Sequence, residues 1–209
     1  MLICAITVAW DPAPLGAGEP STTPVESAAT VAVRNTIAEL MRVLDDERLK
    51  MPERAEQRRH EIERIVMRRV SYEEMAKRAL GTPWSEITEQ ERHEFVGLFL
   101  QLLRDTFAGR INDHTDEQVV YLGEQREDQF AEVRTKLKGQ KGDTLVDFRL
   151  MHASGDWLVY DVVIDGAGIV SNYRAQFTSI IRDVTYAGLV KKMKQNAVAV
   201  KVFEKSAPR

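Results

Sequence analysis

The sequence is poor in the residue types that build covalent cross-links and metal sites. It contains one cysteine, Cys4, among its 209 residues, which excludes an internal disulfide and a cysteine-based metal site. Its four histidines are His60, His93, His114 and His152, and no two of them stand at the spacing of paired metal ligands. We therefore expect surface histidines and a fold that is stabilised by an apolar core.

The chain has neither a basic excess nor a long hydrophobic run. Its 29 Lys and Arg residues against 32 Asp and Glu residues give a formal net charge of −3. This balance argues against general nucleic-acid binding, because neutralising phosphates takes a surplus of cations. The apolar run Met1–Trp10 is far shorter than the roughly 20 residues that span a bilayer, so no stable membrane insertion is expected.

That apolar run and the Pro- and Gly-rich residues after it are typical of the later part of a secretory signal, without its basic start. We expect residues 1–24 to be a signal-like segment followed by a disordered linker, with a weak cleavage site at Leu15-Gly16-Ala17. An ordinary apolar N-terminal tail is the alternative. Residues 25–198 are expected to form one domain, and residues 199–209 a flexible tail.

The motifs of nucleotide-binding and nucleophilic enzymes are also missing. Gly166-Ala-Gly168 lacks the third glycine of a dinucleotide-binding loop, and no Gly-x-Ser-x-Gly elbow occurs. Asp161 stands out among the carboxylates because its neighbours in a strand-like segment are apolar. A buried Asp161 with a raised pKa would suit a general base. The other interpretation is structural, with Asp161 facing polar groups or pairing with an arginine such as Arg149.

Helical periodicity dominates the first half of the chain. Apolar stripes predict helices over residues 25–44, 52–70, 72–80 and 88–107, the last with the broadest apolar face. Ser71-Tyr-Glu-Glu74 and Thr88-Glu-Gln-Glu91 both read as capping boxes, in which a hydroxyl and a glutamate satisfy the first backbone N–H groups of a helix.

After Gly109 the period changes from 3.6 to 2. Four strands are predicted, over residues 118–122, 130–137, 145–151 and 157–164, and the short breaks between them indicate an antiparallel meander with one apolar and one polar face. The last strand leads through Asp165-Gly-Ala-Gly168 into closing helices over residues 169–183 and 187–196. The predicted class is α+β, with helices packed on one side of a curved sheet.

Several segments together resemble the MlaC/toluene-tolerance family. The resemblance covers about residues 30–195. It is carried by the segments Ser71–Trp84, Thr88–Phe95, Leu98–Phe107, Glu132–Thr135, Val146–Arg149, Trp157–Val163 and Ser171–Phe177.

The resemblance implies an NTF2-like cone with an internal apolar cavity, and a periplasmic phospholipid carrier without enzymatic activity. Such a carrier serves an ABC-type lipid transport system, between an inner-membrane complex and an outer-membrane lipoprotein complex, and its only ligand is the phospholipid cargo, with no cofactor or metal. The rivals are a small cone-fold enzyme that uses Asp161 as a base and an interaction module with a filled core.

For a carrier, the large apolar residues of the long helix, the sheet and the closing helix are the candidates for the cavity wall, although alternation does not decide which strand face lines it. They are Phe95, Phe99, Leu102, Leu103 and Phe107, then Val133, Val146, Phe148, Leu150, Tyr160, Val162 and Ile164, and finally Tyr173 and Phe177. Arg174 is the candidate for the rim beside the lipid head group, with a surface ion pair as its alternative role.

This chain departs from the family pattern at one point. The family usually has Glu-Gly-Val-Ser after the last strand, where this sequence has Asp165-Gly-Ala-Gly168. The serine hydroxyl at the start of the closing helix is therefore missing.

Overall fold

Four α-helices, five strands and one closing α-helix follow one another in the computed structural model, which describes residues 26–107, 118–139 and 142–198. The elements are α1 (Ala28–Asp45), α2 (Ala55–Arg69), α3 (Tyr72–Leu80), α4 (Glu89–Phe107), β1 (Gln118–Glu127), β2 (Phe130–Gly139), β3 (Gly142–Ala153), β4 (Asp156–Ile164), β5 (Ala167–Gly168) and α5 (Ile169–Lys194). The α+β class is confirmed. The predictions for residues 1–24 and 199–209 lie outside the described residues.

The sheet is an antiparallel meander with the strand order β1-β2-β3-β4-β5. The strands extend beyond their predicted ends, and the two-residue β5 was not predicted. Register shifts interrupt the ladders between Tyr121 and Gly123 and between Arg149 and Leu150. Such bulges bend a strand and increase its twist, which gives the sheet its curvature.

The two faces of the sheet differ in the way that the alternation predicts. On one face, buried Ala131, Val133 and Leu150 pack with α1. On the other face, Arg149 binds Glu132 at 3.0 Å and Asp161 at 3.3 Å, so that charges are paired across three strands. The apolar face therefore forms a core with α1, and charged side chains on the polar face form ion pairs with one another.

A second core lies among the helices α3, α4 and α5. It consists of buried apolar side chains from these helices and from the turn after α3, including Leu80, Trp84, Phe95 and Leu189. Only Val70 and Val162 pack against both cores among the residues that the clusters contain. Val70 also forms a parallel bridge with Val159, so the chain entering α3 runs along the edge of β4.

One of the two predicted capping boxes exists. The backbone N–H of Thr88 donates to Glu91 at 2.8 Å, and the N–H of Glu91 donates to the Thr88 hydroxyl at 3.3 Å. The box at Ser71 was wrong, because the Ser71 N–H donates to the carbonyl of Val159 at 2.9 Å and its hydroxyl caps nothing. Glu74 pairs with Arg78 at 2.7 Å instead.

The closing helix α5 is broken at Thr185, whose φ of 66° and ψ of 173° are not helical. The two closing helices predicted from the sequence are the two halves of this element. Among the helices of the described ranges, none is long and apolar enough to cross a membrane.

A carboxylate on β1 fastens the start of α1 to the sheet. Glu124 accepts hydrogen bonds from the Ser27 hydroxyl, from the Thr30 hydroxyl at 2.6 Å and from the Thr30 N–H at 3.2 Å. Because it satisfies a first-turn N–H of α1, we expect Glu124→Ala to lower the free energy of unfolding by about 1–2 kcal/mol. Chemical denaturation measures this, and the exposed Glu127→Ala on the same strand is the control. Equal losses in both variants would contradict the assigned role.

Candidate ligand-binding site

Four aromatic rings form the centre of the helical core. Phe95 and Phe99 extend from α4, and Tyr173 and Phe177 extend from the first half of α5; all four are 0% exposed. The ring centroids of Phe99 and Tyr173 are 5.1 Å apart and those of Phe95 and Phe177 are 5.7 Å apart, both in edge-to-face geometry. This geometry is favourable for aromatic pairs and packs α4 closely against α5. We call these four residues the aromatic cluster.

A cavity of about 340 Å³ lies between the second half of α4 and the end of α5. Its lining divides into an apolar and a polar half. The apolar residues are Leu98, Leu102, Met193 and Val198, and the polar residues are Gln101, Asp105, Thr106 and Asn196. We call it the α4–α5 cavity. The cavity therefore combines an apolar wall with several groups that can form hydrogen bonds.

The cavity adjoins the aromatic cluster through one hydrogen-bonded pair. The Thr106 hydroxyl donates to the Leu102 carbonyl at 2.8 Å and lies 2.9 Å from the Tyr173 hydroxyl. Since a hydroxyl has one proton, Tyr173 is the donor to Thr106. Burial raises the pKa of Tyr173, which keeps the phenol protonated for this role. The pair satisfies both hydroxyls at the boundary between the cavity and the core.

The structure does not place the predicted wall residues on one surface. Phe95, Phe99, Leu103, Tyr173 and Phe177 lie together in the helical core, and Leu102 lines the cavity. The side chain of Phe107 lies outside the described residues.

The predicted wall residues of the sheet divide differently. Val133 and Leu150 are buried against α1, with Phe148 partly buried beside them. Tyr160 packs against the helical core, and Val162 packs against both cores. Val146 is buried and Ile164 partly buried, and the two are paired across β3 and β4. The predicted wall is therefore divided between two cores, and its role in lipid binding stays a prediction.

The cavity contains residues that the sequence did not single out as wall residues. Leu98 and Thr106 belong to the broad apolar face predicted for α4. The helical periodicity could therefore have identified them as candidate wall residues. Met193, Asn196 and Val198 come from the end of α5 and the residues after it. No local pattern indicates that this end of the chain returns to the end of α4, because the packing depends on the break at Thr185.

Arg174 lies on the exposed side of α5, away from the lining of the α4–α5 cavity. Its guanidinium approaches Gly81 at the end of α3, where a Cβ atom would lie 3.2 Å from Nε. Within the described part of the chain it forms no ion pair. A cation beside the carbonyl end of a helix is stabilised by the helix dipole. Its role at a lipid head group remains a prediction.

Asp161, the candidate base of the rival enzyme hypothesis, is 4% exposed and has both carboxylate oxygens engaged. Oδ1 accepts from the N–H of Val170 in the first turn of α5 at 3.0 Å, and Oδ2 lies 3.3 Å from Nη1 of Arg149. Burial raises the pKa of Asp161, while the Val170 N–H and the Arg149 charge oppose that rise. The pair with Arg149 is the one that the structural interpretation predicts, whereas the cap on α5 was not predicted.

Gly168 explains the departure from the family pattern in physical terms. The residue precedes α5, and a Cβ atom there would lie 3.1 Å from Oδ2 of Asp161 and 3.0 Å from the Ser171 hydroxyl. Both distances are shorter than ordinary van der Waals contacts. Because residue 168 is a glycine, the Asp161 carboxylate has room to reach the start of the helix. In this chain the cap comes from β4 rather than from residue 168.

Comparisons with known proteins first define the class of the fold. A phospholipid-binding protein from Ralstonia solanacearum, solved in complex with a phospholipid, superimposes with a TM-score of 0.72 at 20% identity, covering 82% of this chain and 97% of that chain. The sequence profile of the family described as MlaC protein matches residues 34–195. The chain belongs to the MlaC family, as the sequence resemblance predicts.

A curated relative is the intermembrane phospholipid transport system binding protein MlaC of Haemophilus influenzae. It is 21% identical over 140 residues, which span 64% of this chain and 65% of the relative's length.

The cap provided by Asp161 predicts unequal effects of two substitutions. Asp161→Ala leaves the Val170 N–H buried without an acceptor, so we expect unfolding to become easier by about 1–3 kcal/mol at neutral pH. Asp161→Asn keeps an acceptor oxygen and should cost less. Urea denaturation of the wild type and both variants measures the difference.

The same pair tests the raised pKa of Asp161. A carboxyl group whose pKa is higher in the folded state binds its proton more tightly there, so its protonation stabilises the fold. The wild type should therefore gain stability relative to Asp161→Asn as the pH falls from about 7 towards the ordinary aspartate pKa of about 3.9. A constant difference over this range would refute the shift.

Proposed function

We propose that this protein is a phospholipid carrier that holds acyl chains against its helical core. The observation that supports the proposal is the α4–α5 cavity. Its apolar residues belong to the helical core or pack against it, and three of its four polar residues, Gln101, Asp105 and Asn196, are exposed. This arrangement suits an amphipathic ligand with its chains inside and its head group near water. Family membership and the fold shared with a phospholipid complex support the same conclusion.

The energy of lipid transfer explains why a protein of this kind needs apolar volume rather than catalytic residues. Two acyl chains contain roughly 30 methylenes, and burying each is worth about 0.8 kcal/mol, or roughly 25 kcal/mol in all. Because moving a lipid from a membrane into water costs this free energy, a lipid does not cross the water between two membranes unaided. Because a bilayer is as apolar as a protein cavity, the carrier only has to match the membrane, and partners must set the direction of transfer.

The proposed setting is the periplasm, with an inner-membrane ABC-type complex and an outer-membrane lipoprotein complex as partners. The Haemophilus influenzae relative is named as the binding protein of an intermembrane phospholipid transport system, which supports this setting. No cofactor or catalytic step belongs to the proposal. The position of Asp161 supports a non-enzymatic role, because the carboxylate is buried and its two oxygens face the start of α5 and Arg149, two structural partners.

A substitution that fills the cavity tests the proposal. Leu102 lies on the cavity wall, so Leu102→Trp should occupy the space of an acyl chain and reduce co-purified phospholipid several-fold. Organic extraction followed by mass spectrometry measures the molar ratio of lipid to protein. Leu145→Trp is the matched control, because Leu145 is 44% exposed on the sheet and should leave the ratio unchanged.

The thermal midpoint of each delipidated variant separates a filled cavity from a damaged core. A tryptophan in open space leaves the midpoint near that of the wild type, whereas overpacking a filled core destabilises by about 1–3 kcal/mol. Absence of phospholipid in wild-type protein isolated from a compartment with membranes would overturn the carrier function. A filled-core interaction module predicts that absence together with a lowered midpoint for Leu102→Trp.

A further inference from the structure

The break in α5 places a β-branched residue in a backbone conformation that such residues avoid. Thr185 has a φ of 66° and a ψ of 173°, a region that is essentially restricted to glycine. Its side chain is exposed, so no buried contact of its own compensates for the strain. Packing of the helix on the far side of the break must therefore hold this conformation.

Gly188 shows that the break changes the local geometry of the helix. A Cβ atom at this position would lie 2.7 Å from Cγ2 of Val184 and 2.8 Å from its Cβ. In a regular helix, residues four apart keep their Cβ atoms about 5–6 Å from each other. The bend therefore brings Val184 into the space of a side chain at 188, and only glycine leaves that space free.

The segment after the break, residues 186–194, lies along α4, and we call it the lid helix. Its own residues Leu189 and Met193 are buried, and the centroid of the Tyr186 ring lies 6.3 Å from that of Phe95. At the surface, Nζ of Lys194 pairs with Glu94 at 2.5 Å, with both side chains about half exposed. The Tyr186 hydroxyl also approaches the Glu91 carbonyl at 3.4 Å.

The lid helix covers both parts of the proposed site. Tyr186 covers one side of the aromatic cluster at Phe95, and Met193 forms part of the wall of the α4–α5 cavity. The volume of about 340 Å³ is at the low end of the roughly 300–1,000 Å³ found for ligand pockets, which is small for a diacyl lipid. A diacyl lipid therefore needs more space than this cavity has, and displacement of the lid helix, which contributes Met193 to the wall, would supply it.

We infer that the lid helix is a gate with two states, which rests on the proposed lipid-carrier function. In the docked state α5 is broken at Thr185 and the lid helix forms part of the cavity wall. In the open state Thr185 adopts helical angles, α5 straightens, and the lid helix leaves α4. Backbone strain at Thr185 favours the straight state, and apolar packing of the lid helix favours the docked state. The conformation of Thr185 therefore differs between the two states and affects their relative free energy.

A series of substitutions at Thr185 tests the gate without removing a buried contact. Thr185→Gly relieves the strain of the docked state and is a poor helix former, so the gate should open less. Thr185→Ala retains the strain and is the best helix former, so the gate should open more. We expect shifts of about three- to tenfold in each direction, in the order Ala, Thr, Gly.

Two measurements on the full chain report the shift. Amide hydrogen exchange of residues 186–194 reports opening of the lid helix whether or not lipid is bound. Transfer of a fluorescent phosphatidylethanolamine between phosphatidylethanolamine–phosphatidylglycerol vesicles reports passage of lipid. Both rates should rise in Thr185→Ala and fall in Thr185→Gly.

The surface pair provides an independent variant set. Glu94→Lys sets two lysines together and should speed exchange and transfer, while the double variant Glu94→Lys with Lys194→Glu restores the pair and the wild-type rates. Lys192→Glu is the charge control, because Lys192 is exposed on the same helix, does not face Lys194 two residues on, and has no ion pair among the described residues. This control should match the wild type.

The outcomes separate the gate from the carrier function. Parallel changes in exchange and transfer across both sets support the gate. Faster exchange with unchanged transfer, or unchanged exchange in all variants of a wild type that transfers lipid normally, overturns the gate and leaves the carrier function standing. A wild type that neither holds nor transfers phospholipid overturns both.

Discussion

The contact between the Asp161 carboxylate and the start of α5 determines how the rest of the molecule is arranged. One oxygen accepts the Val170 N–H and the other faces Arg149, so a single side chain joins β3, β4 and α5. Because Gly168 has no side chain, residue 168 supplies no cap of its own. The direction in which α5 leaves the sheet therefore depends on this carboxylate, and with it the position of every ring that α5 contributes to the helical core.

The two cores differ in what lies beside them, because only the helical core has the cavity at its end. The aromatic cluster and the α1–sheet core are fully buried and closely packed, and the two meet mainly through Val162 and Val70. The cavity lies at the end of the helical core rather than between its buried rings. A ligand that enters there meets an apolar wall that is already formed, while the space for most of its volume must come from movement at the edge of that core. This combination suits a carrier, which has to release its cargo as readily as it binds it.

Periodicity predicted the helices, the meander and the polarity of the sheet, because these follow from local patterns of apolar residues. It did not predict which residues share a surface. The register shift between Arg149 and Leu150 places Val159 opposite Leu150 on the α1 side, so simple alternation along β4 assigns the wrong neighbours to Tyr160. The failed cap at Ser71 has a similar origin, since its N–H is taken by a strand distant in sequence. The cavity residues after the α5 break depend on tertiary packing in the same way.

The helix α5 is held differently at its two ends, and this difference connects the site to its proposed movement. Its first half is fixed by a buried carboxylate, by β5 and by the rings of Tyr173 and Phe177. Its second half is held across a strained residue by a few apolar side chains and an exposed ion pair. Exposed pairs contribute little to stability, so the second half is held mainly by its buried Leu189, Val190 and Met193, and it lacks the buried cap and the paired rings that hold the first half. A change at the rim of the cavity can therefore move the lid helix while the sheet, the cap and the aromatic cluster keep their positions.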